Sequence, residues 1–182
     1  LEGNYSPINS FIPEDNVSYE LSIIYNNEIF KGITTKSKTP NFINVKQGDN
    51  TLFSGEETEV VVEFQDDESK ENYYLFDFSK NLYLTIEDRF FNGSDYNFSF
   101  FFQEDEIELP EDIIVKMSGI TKDYHTYFRV LSNQSGQSGG GPFQTTPSSL
   151  LGNIVNTTYS ENFPLGYFHI AETATYFLSL TE

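Results

Sequence analysis

Apolar side chains recur at every second position along the middle of this chain, a period that belongs to β-strands with one face in a core. In "TEVVVEFQ" Val60, Val62 and Phe64 face one way and Glu59 and Glu63 the other, with Val61 the exception. "NLYLTIED" turns Leu82, Leu84 and Ile86 inward. "YNFSFFFQ" does the same with Tyr96, Phe98, Phe100 and Phe102, and "DIIVKMS" with Ile113, Val115 and Met117. "ENYYLFDFS" is apolar on both faces and reads as an interior strand. The segments between them, "QDDESKE", "SKN", "FFNGSD" and "QEDEIELPED", are built from turn formers. Short strands at this spacing predict a mainly β chain, an antiparallel β-sandwich or barrel-like domain. With 182 residues, including 18 Phe and 12 Tyr, the chain is long enough to bury roughly 70% of its unfolded surface around an aromatic core.

One segment departs from the alternation. In "TKDYHTYFRVLSN" the apolar residues Tyr124, Tyr127, Phe128 and Leu131 fall at i, i+3, i+4 and i+7, Thr121 is placed to cap, and Asp123 suits the positive end of the dipole. The spacing predicts one packed helix over 121–133. "LLGNIVN", "LGYFHIA" and "TYFLSL" then return to strands. Near the start, residues 18–34 read as a hairpin turning on Asn26-Asn27, which tolerate the positive φ of a tight turn. Two strands alone are marginal in water, so the hairpin either packs on the later strands or closes a domain that begins earlier. Residues 34–42, "TTKSKTPNF", read as a linker. The expected organisation is a hairpin unit over 1–36, a linker and first strand over 37–50, and a main β-rich domain over 51–182.

A formal net charge of -18 removes the phosphate attraction on which nucleic-acid binding depends and substitutes repulsion. There is no cysteine, which excludes disulfides, thiolate metal sites and a cysteine nucleophile. No apolar run approaches the roughly 20 residues of a membrane span. The first residue is Leu1 rather than methionine, and the chain is expected to be processed or trimmed.

Chemistry-bearing patterns are sparse. "SNQSGQSGGGPF", residues 132–143, looks like a phosphate loop by composition, but such a loop needs a strand before it and a helix after it. Here the helix comes first, Pro142 removes a donor and no lysine follows. Gly136 or a neighbour is better placed to end the helix. Long loops also carry partner contacts, which makes Gly139, Gly140 and Phe143 candidate binding residues. His125 and His169 lie in no hydrolase or metalloprotease setting. His125 is expected on the outer face of the helix, and structural or solvent-exposed roles suit both. Twenty-eight acids always offer carboxylate pairs, so a glycosidase pair has no particular address. The turns "QDDESKEN" and "QEDEIELPED" are the candidate calcium ligands, although neither has EF-hand spacing; otherwise no cofactor is indicated. Tyr73, Tyr83 and Tyr159 are candidate platforms for sugar rings, against the simpler reading that aromatics in a β-rich chain fill its core.

Three stretches taken in order carry a family resemblance. "NLYLTIEDRFFNGSDYNFSFFF", "DIIVKMSGITKDYHTYFRVLSNQ" and, after the glycine-rich gap, "SSLLGNIVNTTYSENFPLGYFHIAETATYFL" resemble the C-terminal part of the domain-of-unknown-function family four-two-four-nine. The resemblance covers residues 51–180, and residues 1–36 are similar to the closing hairpin of that family's N-terminal immunoglobulin-like domain. It implies a lipoprotein of Bacteroidetes type on the extracellular face of the outer membrane, encoded beside a TonB-dependent receptor. The expected role is a non-enzymatic partner of that receptor in ligand capture or receptor assembly, with a glycan or peptide as ligand. A carbohydrate-binding module is the alternative. No catalytic residues follow from the resemblance. The lipid-bearing cysteine is missing from this sequence, so the anchor is expected outside the chain.

Overall fold

Phe64, Phe76, Phe78 and Phe102 have no solvent exposure at all, and the architecture follows from where their strands run. In the computed structural model, described over residues 3, 5–68, 70–135 and 149–182, two antiparallel sheets face one another across these rings. The larger takes the order β11 (Thr173–Leu180), β8 (Glu111–Ile120), β5 (Tyr73–Asp77), β6 (Tyr83–Glu87). The smaller takes β3 (Phe42–Gln47), β4 (Thr58–Gln65), β7 (Asp95–Phe102). The sheets do not close into a barrel. The expected mainly β sandwich with one helix is therefore the fold.

The alternation sets the register. Val60, Val62 and Phe64 of β4 meet Phe100, Phe98 and Tyr96 of β7 across the ladder. Tyr74 and Phe76 of β5 meet Ile86 and Leu84 of β6. Between the layers Phe76 and Phe98 make an edge-to-face contact at 5.0 Å, and Phe78 stacks on Phe100 at 3.9 Å. Each such ring contributes roughly 1.5–3 kcal/mol by leaving water. The turns keep the chemistry of their residue types: Asn26 and Asn27 take φ of 48° and 62°, and Ser79, Lys80 and Asn81 are all left-handed.

Helix α1 (Lys122–Gln134) lies on the outer face of the larger sheet over β5 and β6. Thr121 caps it, its Oγ1 accepting from the Tyr124 amide at 3.2 Å. The buried face is rotated from the expected one. His125, expected outward, is 4% exposed and packs on Tyr73 at 5.1 Å between ring centroids, whereas Leu131 is 41% exposed. The large side chains of Tyr124 and Phe128 flank the imidazole and are half-buried, so the helix seats on an aromatic and histidine stripe rather than on Leu131. Its C-cap, Ser135, stays right-handed; Gly136 lies outside the described residues.

A third, small sheet joins the two ends of the chain. β1 (Ser18–Tyr25) and β2 (Glu28–Ser37) form the expected hairpin, and β2 also pairs with β9 (Ile154–Asn156) and, in parallel, with β10 (Ile170–Ala171). β2 runs through Ser37, so residues 34–37, expected as linker, are strand: Thr34 and Thr35 pair with β1, and Lys36 and Ser37 with residues from the far end of the chain. "LGYFHIA" is strand only at Ile170 and Ala171, because its tyrosine and phenylalanine are drawn out of a ladder: Tyr167 packs on Tyr124 and Tyr127 of α1, and Phe168 packs over Gly32.

Candidate functional site

The three tyrosines singled out in the sequence occupy three different environments. Tyr73 is not an exposed platform: β5 is covered by α1, and the ring is 9% exposed under His125 with its hydroxyl donating to Glu71 at 3.1 Å. Tyr159 is 54% exposed in the segment after β9, remote in sequence from both others. Tyr83, half-buried at the start of β6, lines a groove of about 420 Å³. Gly139, Gly140 and Phe143 lie outside the described residues.

The groove sits where β6 and β7, the end strands of the two sheets, part from one another beneath the C-terminal half of α1. Its floor is Leu84 and Phe100, its aromatic wall Tyr83 with Phe128 in an edge-to-face pair at 5.6 Å, and its polar rim Thr85, Arg129, Ser132 and Asn133. A concave apolar floor with a few convergent polar groups is the usual make-up of a ligand site. Arg129 makes no ion pair among the described residues, in a chain that carries 28 acids.

A second cleft, of about 390 Å³, gathers Glu71, Glu87 and Asp88 with Arg89 and Lys122. Asp88 is 2% exposed, and burial, together with the neighbouring Asp66 and Glu71 charges, pushes its carboxyl up despite the hydrogen bond it accepts from the Asn72 amide. Lys122 lies 3.7 Å from Glu71. A carboxyl pushed up by burial beside other carboxylates is the pattern of a proton donor, but here one oxygen is committed to the backbone of the turn.

A third cleft, of about 290 Å³, collects four of the ten basic residues, Lys36, Lys38, Lys70 and Lys122. Asp15 bonds both Lys36 and Lys38, and Glu172 takes Lys36 at 2.8 Å. Hydrogen bonds from Asp15 and then Glu172 raise the Lys36 ammonium to about 12.

The family model described as Domain of unknown function (DUF4249) matches residues 1–176. The chain belongs to this family. The match runs through the hairpin as well as the β-rich part, in keeping with the small sheet that bonds β2 to β9 and β10. No curated protein and no solved structure matches the chain.

Within this family member two acids of the turns expected as calcium ligands are engaged in bonds of the fold. Asp66 accepts from the Tyr74 hydroxyl and the Gly93 amide, and Glu106 accepts from the Gln103 amide at 2.8 Å. Among the described residues, no group of three or more His, Asp or Glu side chains is placed to share a metal ion. The residues that sequence reasoning missed are Phe128 and Arg129. The spacing of Phe128 marks it as part of the helix's seat, and it is also the groove's wall. Arg129 carried a signal in its rarity, being one of two arginines.

Proposed function

We propose that the chain is a non-enzymatic capture module at a cell surface, accessory to a TonB-dependent outer-membrane receptor, and that it holds its ligand in the groove between β6 and α1. The observation that carries this reading is the groove itself: an aromatic wall and apolar floor beside an arginine with no carboxylate partner among the described residues. The two imidazoles support a non-catalytic role, since both are engaged in packing. His125 lies on Tyr73, and His169 lies on Tyr124 at 4.8 Å with Nε2 hydrogen-bonded to the Gly119 carbonyl. Docking on a protein partner is supported by one face of the small sheet, where Ile24, Ile29, Ile33 and Val155 stand exposed in adjacent strands. The receptor as partner, and the surface location, are what the family resemblance implies.

Crosslinking in native membranes followed by affinity purification tests the reading. Recovery of a β-barrel receptor supports it, and a monodisperse chain with no receptor adduct sinks it. The rival reading is a carbohydrate-binding module, favoured by the exposed edge of the Tyr83 and Phe128 pair. Its test is a glycan array on which binding disappears with Tyr83→Ala; a blank array removes it.

A further inference from the structure

Among the described residues β6 is the end strand of its sheet and is bonded on one side only, to β5. The turns at its two ends decide which backbone groups that bonding uses. The Phe78 amide donates to the Leu82 carbonyl, and the Asp88 amide to the Asn72 carbonyl. In an antiparallel ladder, hydrogen-bonded positions alternate. Leu82, Leu84, Ile86 and Asp88 therefore face β5, and the amides and carbonyls of Tyr83, Thr85 and Glu87 face away from it. Tyr83 and Thr85 line the groove. One long wall of the groove is thus a row of ladder groups with no strand beside them among the described residues, and the other is α1. β7 follows β6 in the chain but belongs to the other sheet and does not pair with it. An open edge of this kind is a template for another strand.

The side chains along the edge favour the same occupant. Tyr83 and Thr85 project toward α1, Leu84 toward Phe100 and the core. A strand laid against β6 would place alternate side chains against the Tyr83 and Phe128 rings on one side and the Leu84 and Phe100 floor on the other. Unpaired donors and acceptors that repeat about every 7 Å along a strand match another polypeptide backbone, whereas a sugar ring has no such repeat. Arg129 stands at the rim with no carboxylate partner among the described residues, and a guanidinium recognises a carboxylate by a planar pair of hydrogen bonds.

We propose that the groove takes an extended peptide segment, added as a strand to the free edge of β6 and carrying a carboxylate that meets Arg129. The inference rests on the reading of this groove as the capture site and names the ligand class. A random heptapeptide display library, selected on the whole chain, supplies the probes, and synthetic versions of the enriched peptides are then titrated. The expected peptides alternate apolar and β-forming residues and contain Asp or Glu. Thr85→Pro removes an outward amide without touching the bonds to β5, and it should weaken binding at least about tenfold, as should Arg129→Gln. Of two peptide sets N-methylated at odd or at even backbone positions, the one whose amides face β6 should bind at least about tenfold more weakly than the other, a comparison that needs no variant of the protein. Amide exchange at Tyr83, Thr85 and Glu87 should slow on binding. The inference is overturned if no peptide is enriched, if Thr85→Pro leaves affinity unchanged, if the two N-methylated sets bind alike, or if protection appears elsewhere. A groove that selects no peptide but binds a glycan in a Tyr83-dependent way overturns the peptide assignment and leaves capture at this site standing.

Discussion

His125 shows how one residue can reverse its expected role. Its neighbours at helical spacing mark it as an outer position, yet β5 offers the flat ring of Tyr73, and the imidazole is the side chain of α1 that packs over it. Burial holds both His125 and His169 below the ordinary imidazole value, the Arg129 charge adding to the effect at His125. The sign follows from linkage. The unfolded chain binds protons at these residues below about pH 6.5 while the folded chain resists them, so stability is present above that value and falls as the medium is acidified. Thermal melts across this range should show Tm dropping as pH falls, and His125→Phe should flatten the drop. Glu59 is a second reversal. The alternation turns it toward solvent, but the loop before β4 folds over it, and its carboxylate takes the Asn50 amide and the Ser99 hydroxyl. Burial raises that carboxyl, and the hydrogen bonds outweigh burial and hold it below the usual range. Period-two patterns report which way a side chain points; they carry no information about a loop that later covers it. In the core the pattern is sufficient, and Phe76→Ala, at a position with no exposure, should cost about 3–5 kcal/mol in denaturant unfolding.

At the scale of the element, capping and turn chemistry were legible because they are local. Thr121 and the Asn26-Asn27 turn do what their types dictate. Thr121→Ala should cost about 1 kcal/mol and appear in amide exchange as fraying of the first turn of α1. The short pieces β9 and β10 were not legible as short, because their partner is β2, well over a hundred residues away in sequence, and tertiary pairing sets their ends. Gly119 belongs to the same class of nonlocal constraint. A Cβ there would lie 1.9 Å from the Lys38 carbonyl oxygen, where the chain leaving β2 crosses β8, and the Gly119 amide donates to Thr39 Oγ1 at 2.6 Å. Gly119→Ala should lower stability by about 1–3 kcal/mol through backbone displacement. The groove shares this obscurity. Tyr83 stands out in the sequence by its aromatic type, but nothing local says that β6 ends a sheet or that α1 lies across it.

For the whole molecule, two physical facts set behaviour in solution. The first is self-repulsion: a net charge of -18 opposes compaction and is screened by salt. Raising ionic strength from about 0.01 M to about 0.15 M should raise Tm, with neutral sucrose at matched osmolality as the control. The second is the lopsided joining of the two layers. Along one long side β3 and β11 are stitched together, Gln47 and Thr181 exchanging hydrogen bonds at 2.9 Å. Along the other, β6 and β7 share no ladder among the described residues. A guest entering at the loose margin meets two sheets that share no rung there among the described residues, yet any widening would have to part the Phe78 and Phe100 rings stacked at 3.9 Å, so the opening favours a thin guest over a thick one.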